Sequence, residues 1–313
     1  MGLALVLIVS CSPTQPTQPT QPTQPAQPVQ APAPLDAEAI GRAADVKATV
    51  SPDGVVRISW ARTDIPVTVD GMALRPFAGL ASWAAFKATP QGTMMMGDEV
   101  VFADEVASAM DAAFAAGLEV TALHNHFLHD EPRVSFMHIG GTGDAGRLAK
   151  GVKGVWDAIK IVRAASPRPA TRTAGPKPAP GTITAATLES ILGHKCDTQD
   201  GVVKVTIGRQ GRMHGEDVGG SMGLTTWAAF SGSDDLAAVD GDFIMAAGEV
   251  QPVLRALRRA DLQIVALHHH MIDIEPAFYF THFWGMGPAE NLARGIRAAL
   301  DGQQRASGQA KAH

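Results

Sequence analysis

The stretch Leu118–Gly143, LEVTALHNHFLHDEPRVSFMHIGGTG, decides how the chain is organised, because a second version of it follows later. That version is LQIVALHHHMIDIEPAFYFTHFWGMG, Leu262–Gly287, and the offset between the two is constant (268 − 124 = 282 − 138 = 144). Both carry a His-x-His pair, a Glu-Pro dipeptide and one later histidine. The chain is therefore predicted to be a tandem repeat with one candidate site in each copy.

The flanking residues predict the same series of elements in each copy. Strands are expected at 80–88 and 224–232, which share Trp-Ala-Ala-Phe, and further strands lead into and out of the histidine stretch. Amphipathic helices separate these pairs of strands. We expect an α+β fold: two tandem β-β-α-β-β-α repeats that form a pseudo-two-fold, two-domain protein with mostly antiparallel sheets.

Composition excludes several classes of protein. The chain has 313 residues, 45% of them hydrophobic, which is enough for two ordinary domains with real cores. Its 26 basic and 31 acidic residues give a net charge of −5, so nucleic acid is not an expected partner. Two cysteines allow neither a disulfide framework nor a thiolate metal cluster. Any bound metal would need nitrogen and oxygen ligands.

The N-terminal segment predicts export. Within residues 1–11, an apolar run at 2–9 is followed by Ser10 and Cys11, which is typical of a signal peptide with a lipobox. Residues 12–34 repeat Thr-Gln-Pro, which favours an extended polyproline II linker. We expect a lipid on Cys11 to anchor an exported protein to a membrane of the cell envelope.

The remaining boundaries follow from the repeat register and from proline content. Repeat 1 is expected at 35–165, a Pro-rich linker at 166–182, repeat 2 at 183–302 and a disordered tail at 303–313.

The histidines predict one metal site in each copy. Alternation along a strand would place Val120, Ala122, His124 and His126 on one core-facing side. Two histidines two residues apart, with a third from a neighbouring strand, suit zinc, iron or manganese. The predicted ligands are His124, His126, His138, His268, His270 and His282.

Glu131 and Glu275, which follow the histidine pairs, are predicted to be fourth ligands or general bases. A metal would acidify its bound water and so supply a nucleophile for hydrolysis. The aspartates of Gly97-Asp98 and Gly241-Asp242 are interpreted as turn formers.

An alternative to metal-dependent hydrolysis remains. The histidines are also compatible with a structural role, bonded to backbone carbonyls or to Glu131 and Glu275. The chain would then be a non-enzymatic module that binds an envelope ligand or a partner. Retention of Trp83 and Trp227 at matched positions shows that symmetry alone cannot separate these roles.

The segments ALHNHFLHDEPRVSFMHIGG and ALHHHMIDIEPAFYFTHFWG resemble the LppY/LpqO family of envelope lipoproteins, a domain of unknown function. The resemblance covers nearly everything after the Thr-Gln-Pro linker. It implies an exported setting, in agreement with Cys11, and implies no activity or catalytic residues.

Overall fold

The structure is a computed structural model that describes residues 33–170 and 175–310. The predicted lipobox, nearly all of the Thr-Gln-Pro linker and residues 311–313 lie outside the described residues. Among those described, no helix combines the length and the apolar character needed to cross a membrane.

Six α-helices occur in this part of the chain. They are α1 (Ala37–Ala44), α2 (Val106–Ala115), α3 (Ala145–Ala165), α4 (Ala185–Leu192), α5 (Val250–Arg259) and α6 (Ala289–Ala310). Short 3-10 turns lie at Pro76–Ala78, Gly220–Met222 and Ala247–Glu249. Asp144 caps α3, since its carboxylate accepts a hydrogen bond from the Arg147 amide at 2.8 Å. α6 extends into the predicted tail at 303–313 as far as Ala310, and residues 311–313 lie outside the described residues.

The strands of the first copy are β1 (Thr49–Val50), β2 (Val56–Ala61), β3 (Thr68–Val69), β4 (Met72–Ala73), β5 (Ala81–Thr89), β6 (Gly92–Phe102), β7 (Glu119–His124), β8 (Asp130–Glu131) and β9 (Val134–Gly143). Those of the second copy are β10 (Cys196–Gln199), β11 (Val202–Gly208), β12 (Gly211–Met213), β13 (Glu216–Val218), β14 (Thr225–Gly232), β15 (Ala237–Ala246), β16 (Gln263–His268), β17 (Ile274–Glu275) and β18 (Phe278–Gly287).

Twelve of these strands form one antiparallel sheet, in the order β1-β2-β5-β6-β9-β7-β16-β18-β15-β14-β11-β10. The other six form two small sheets, β4-β3-β8 and β13-β12-β17. The order of the large sheet reads as one copy followed by the other in reverse, with β7 and β16 at the centre.

The predicted fold class, two domains of β-β-α-β-β-α order, is wrong. β7 pairs with β16 at Leu123 and Leu267, so the two copies share one sheet, and the described residues of both copies form one compact unit. Four strands of that sheet, β1, β2, β5 and β6, also precede α2. Each copy alone would leave the backbone groups of β7 or β16 unpaired at a sheet edge, and pairing the two edges satisfies both.

Contacts between α2 and α5 join the copies on the helical side. The Arg255 guanidinium donates to the carbonyls of Phe114 and Leu118 at 2.9 and 2.8 Å, and Arg258 pairs with Asp111 at 2.9 Å. These contacts cross from one copy to the other, which supports their packing as a single unit.

The two faces of the large sheet have different partners. The largest core contains Leu123, Met137 and buried residues of the helices, and we call this side the helix face. Two smaller cores, one with Val100 and Phe136 and one with Ile244 and Phe280, lie on the other side against the small sheets. We call that side the hairpin face.

Candidate metal centres

The histidines of the second copy converge. His268 ends β16, His270 follows it in the loop, and His282 lies in β18. One ring nitrogen of each can be chosen so that all three lie within 4.8 Å of one another. The His270 ring also stacks on Phe280, with centroids 3.6 Å apart, which fixes its orientation.

The first copy repeats this arrangement with a tighter pair. The Nε2 atoms of His124 and His138 lie 3.0 Å apart, and the ring centroids of His124 and His126 are 5.1 Å apart. His126 stacks on Phe136 at 3.3 Å. The structure therefore brings together all three predicted histidines of each copy.

These histidines lie on the hairpin face, where they are half-buried or exposed. A bulge between Val120 and Ala122 shifts the register of β7 against β9. As a result Val120 packs in the helix-face core with Leu123, while Ala122 and His124 point the other way. The prediction that Val120 shares a face with the histidines was wrong for this reason. The same shift occurs between Ile264 and Ala266.

An aspartate completes each cluster. Asp98 in β6 lies directly opposite His138, and Asp242 in β15 lies directly opposite His282. Asp242 Oδ2 is 3.4 Å from His270 Nε2, and Asp98 Oδ1 is 4.0 Å from His138 Nε2. The Asp98 side chain is 13% exposed and that of Asp242 is 3% exposed.

Both aspartates have an unsatisfied oxygen. Oδ1 of Asp98 and Oδ1 of Asp242 are buried, and neither has a hydrogen-bond partner among the described residues. Such an acceptor costs about 1–3 kcal/mol unless something binds it. A carboxylate oxygen without a hydrogen-bond partner, next to three imidazoles, is a suitable ligand for a divalent metal ion.

Sequence reasoning assigned these aspartates to turns and so missed them. Both lie inside long strands, Gly92–Phe102 and Ala237–Ala246, rather than at a turn. Their constant offset of 144 and their period-two spacing from Val100 and Ile244 were the available signals.

The predicted glutamates lie apart from the histidines. Glu131 in β8 and Glu275 in β17 are both exposed, on the small sheets, opposite Thr68 and Arg212 respectively. Within the described residues, no recorded ion pair or hydrogen bond joins either carboxylate to a histidine. Glu275 instead lines a shallow pocket with Arg212, His214 and Asp273.

Burial shifts the ionisation of several of these groups. Desolvation lowers the pKa of His126 and of His270 below the ordinary imidazole value, against the attraction of the neighbouring aspartate. Desolvation also raises the pKa of Asp242, although His282 and the other histidines oppose the shift. A lowered pKa favours the neutral imidazole, which is the form that binds a metal ion.

A tryptophan lies next to each cluster, on the strand that neighbours the aspartate. Trp83 lies opposite Asp98, and Trp227 lies opposite Asp242. The Arg57 guanidinium lies 3.9 Å from the Trp83 ring centroid, and the Lys204 ammonium 4.3 Å from that of Trp227. Each candidate site is thus flanked, beside its aspartate, by an indole ring that contacts a cationic side chain.

Similarity to known proteins is limited. No curated protein matches the chain. The solved structures that match include the trimeric bacterial microcompartment shell protein PduB, at 10% identity over 83% of this chain and 92% of that one, with a TM-score of 0.19. EutL from Clostridium perfringens matches at 13% identity over 71% and 84%, and EtuB from Clostridium kluyveri at 11% over 84% and 92%, each with a TM-score of 0.20. Scores this low support no inference about fold or function.

A family model matches both copies. It covers residues 38–158 and again 186–302, and it is described as Domain of Unknown Function (DUF1259). The prediction of two tandem copies of a domain of unknown function is confirmed. The chain belongs to the DUF1259 family, with the family domain present twice.

Proposed function

We propose that the protein binds a divalent metal ion, zinc, iron or manganese, in each copy. The ligands are His124, His126, His138 and Asp98 in the first copy, and His268, His270, His282 and Asp242 in the second. One observation carries the proposal. In the second copy, three histidine nitrogens within 4.8 Å of one another stand beside the buried Asp242, whose Oδ1 has no hydrogen-bond partner in the described part of the chain.

The chemistry proposed at these centres is activation of water for hydrolysis. Three imidazoles and a carboxylate leave a net positive charge on a divalent ion, which lowers the pKa of a bound water towards neutrality. Exposure of His126 and His270 leaves each site open to solvent, as a catalytic centre requires. Asp98 and Asp242 replace Glu131 and Glu275 as the proposed acidic ligands, because they lie beside the histidines.

The proposed setting is the cell envelope. The resemblance to the LppY/LpqO lipoproteins and the Ser10-Cys11 motif support an exported protein attached to a membrane through a lipid on Cys11. Labelling of cells with a radioactive fatty acid tests this. Label that enters the protein but is lost in Cys11→Ser supports the anchor, whereas equal labelling of both contradicts it.

A non-enzymatic role is favoured by one specific observation. In the first copy the Nε2 atoms of His124 and His138 lie 3.0 Å apart and can share a hydrogen bond, which satisfies one nitrogen of each ring without a metal. The protein would then be an envelope module that binds a ligand or partner, with structural histidines. The double variant His124→Ala/His268→Ala separates the roles. Lost thermal stability without any metal in the parent protein favours structure, and a retained fold with lost metal favours the metal site.

Metal analysis of untagged protein is the direct test. We expect bound zinc, iron or manganese in the parent protein and its loss in variants of the triads. His269→Asn is the matched control, because His269 is exposed within the same loop and the first copy has Asn125 at that position. Metal loss in His269→Asn equal to that in His270→Ala would contradict the assignment. Glu131→Gln is expected to retain its metal.

A further inference from the structure

The two candidate centres occupy neighbouring strands of one sheet face. Leu123 of β7 pairs with Leu267 of β16, antiparallel, and both pack in the helix-face core. Residues one step away on each strand therefore face the hairpin side together. Extending this single observed pair by one residue in each direction places His124 opposite Ala266 and Ala122 opposite His268.

The register continues into the next strands. Ala122 lies opposite His138 in β9, and Ala266 lies opposite His282 in β18. One row across the sheet is therefore Asp98, His138, Ala122 and His268, and the adjacent row is Asp242, His282, Ala266 and His124. Each row contains ligands of both candidate centres.

Strand spacing gives the separation between the centres. The strand-borne histidines of the first centre come from β9 and β7 and those of the second from β16 and β18, so the midpoints of the two histidine pairs are two strand spacings apart, about 10 Å. That distance is too long for a single bridging atom. It is short enough for one small molecule to reach both.

The surface between the centres is small and apolar. Ala122 and Ala266 form its floor and are half-buried. The β16 bulge and the histidine loops also carry exposed apolar side chains: Val265 is 56% exposed, Leu128 76% and Ile272 73%. Leu128 and Ile272 occupy matched positions in the two copies. A floor of two methyl groups leaves room for a chain to lie across the sheet.

We propose that the two centres act together as one binding surface for a ligand with two anionic ends and an apolar middle. Each end binds one metal ion, and the middle lies over Ala122 and Ala266. This inference rests on the proposed metal centres. It adds the substrate class, an elongated dianion, which neither centre alone would select.

The first experiment measures the distance between the metal ions at the two centres. Metal-free full-length protein is loaded with copper(II) and studied by electron paramagnetic resonance. We expect two bound ions and a dipolar broadening that disappears in His268→Ala/His282→Ala, which keeps only the first centre. A variant that keeps only the second centre is His124→Ala/His138→Ala. Two bound ions in the parent protein, with a spectrum equal to the sum of the spectra of the two single-centre variants, would overturn the shared surface alone. Failure to bind copper, zinc, iron or manganese would overturn the metal centres themselves.

The second experiment tests the ligand class. Zinc-loaded protein is titrated calorimetrically with linear α,ω-dicarboxylates of increasing length, and with a monocarboxylate of matched chain length as control. We expect the tightest binding when the carboxylates lie about 10 Å apart, with an affinity about 100-fold or more above that of the monocarboxylate. In His268→Ala/His282→Ala the two should bind equally. Equal binding of both ligands in the parent protein, with zinc retained, would overturn the inference.

Discussion

Replacing Asp242 by asparagine should change stability in opposite directions with and without metal. The Asp242 side chain is 3% exposed, and its Oδ1 has no partner among the described residues. In the metal-free protein a neutral amide removes a buried charge, and we expect Asp242→Asn to raise the free energy of unfolding by about 1–3 kcal/mol. For a chain of this size that is a rise of a few degrees in Tm.

With metal present the same substitution removes an anionic ligand. Even outer-shell partners of a metal are worth up to about 100-fold in affinity, so we expect at least that loss at the second centre. A 100-fold weaker site loses about 2.7 kcal/mol of metal-dependent stabilisation at saturating metal. The stabilising effect of Asp242→Asn should therefore disappear or reverse when zinc is added.

Differential scanning calorimetry of metal-free and zinc-loaded protein measures both effects. Asp240→Asn is the matched control, because Asp240 is exposed two residues earlier on the same strand, and it should change neither Tm. The reasoning is refuted if Asp242→Asn destabilises the metal-free protein and leaves the zinc-dependent shift of Tm unchanged.

Two further predictions concern the buried ion pairs at the start of α2 and of α5. Glu105→Gln should lower the free energy of unfolding by about 3–5 kcal/mol, because the buried Glu105 carboxylate pairs with both Arg62 and Arg163, and among the described carboxylates Arg62 would keep only Asp64. Glu249→Gln should lower it less, since its partner Arg209 is 26% exposed. Urea denaturation compares the two variants. Burial alone would raise the pKa of Glu249, but hydrogen bonds from Arg209 and other donors hold that pKa below its usual range. The ionised Glu249 therefore stabilises the fold above its unfolded pKa, and this contribution is lost as pH falls towards the folded pKa. In Glu249→Gln the free energy of unfolding should depend less steeply on pH below about pH 4.5. An unchanged slope of that free energy against pH would contradict this.

The repeat register located the histidines because it compares one copy with the other. The offset of 144 paired His124 with His268 and His138 with His282, and the structure brings each triad together. Strand β5, Ala81–Thr89, also lies close to the expected 80–88. Alternating and apolar patterns carry information of this local kind, which depends only on the residues of one strand or helix.

Features that depend on pairing between strands distant in the sequence were not predictable from local patterns. Pairing of β7 with β16 joins segments 144 residues apart, and nothing in either copy alone indicates that its edge is filled by the other. The bulge before Ala122 adds one residue and reverses the side on which His124 lies. Asp98 became a site residue only because β6 pairs with β9 in a register that sets it opposite His138.

The metal content of the purified, untagged protein tests the central claim most directly. Elemental analysis after removal of loosely bound ions, followed by zinc titration of the stripped protein, should show two binding equivalents per chain, one for each cluster of three histidines and an aspartate. His268→Ala/His282→Ala should retain one of them, and His269→Asn should retain both. A stripped protein that binds no zinc, iron or manganese while remaining folded would contradict the account.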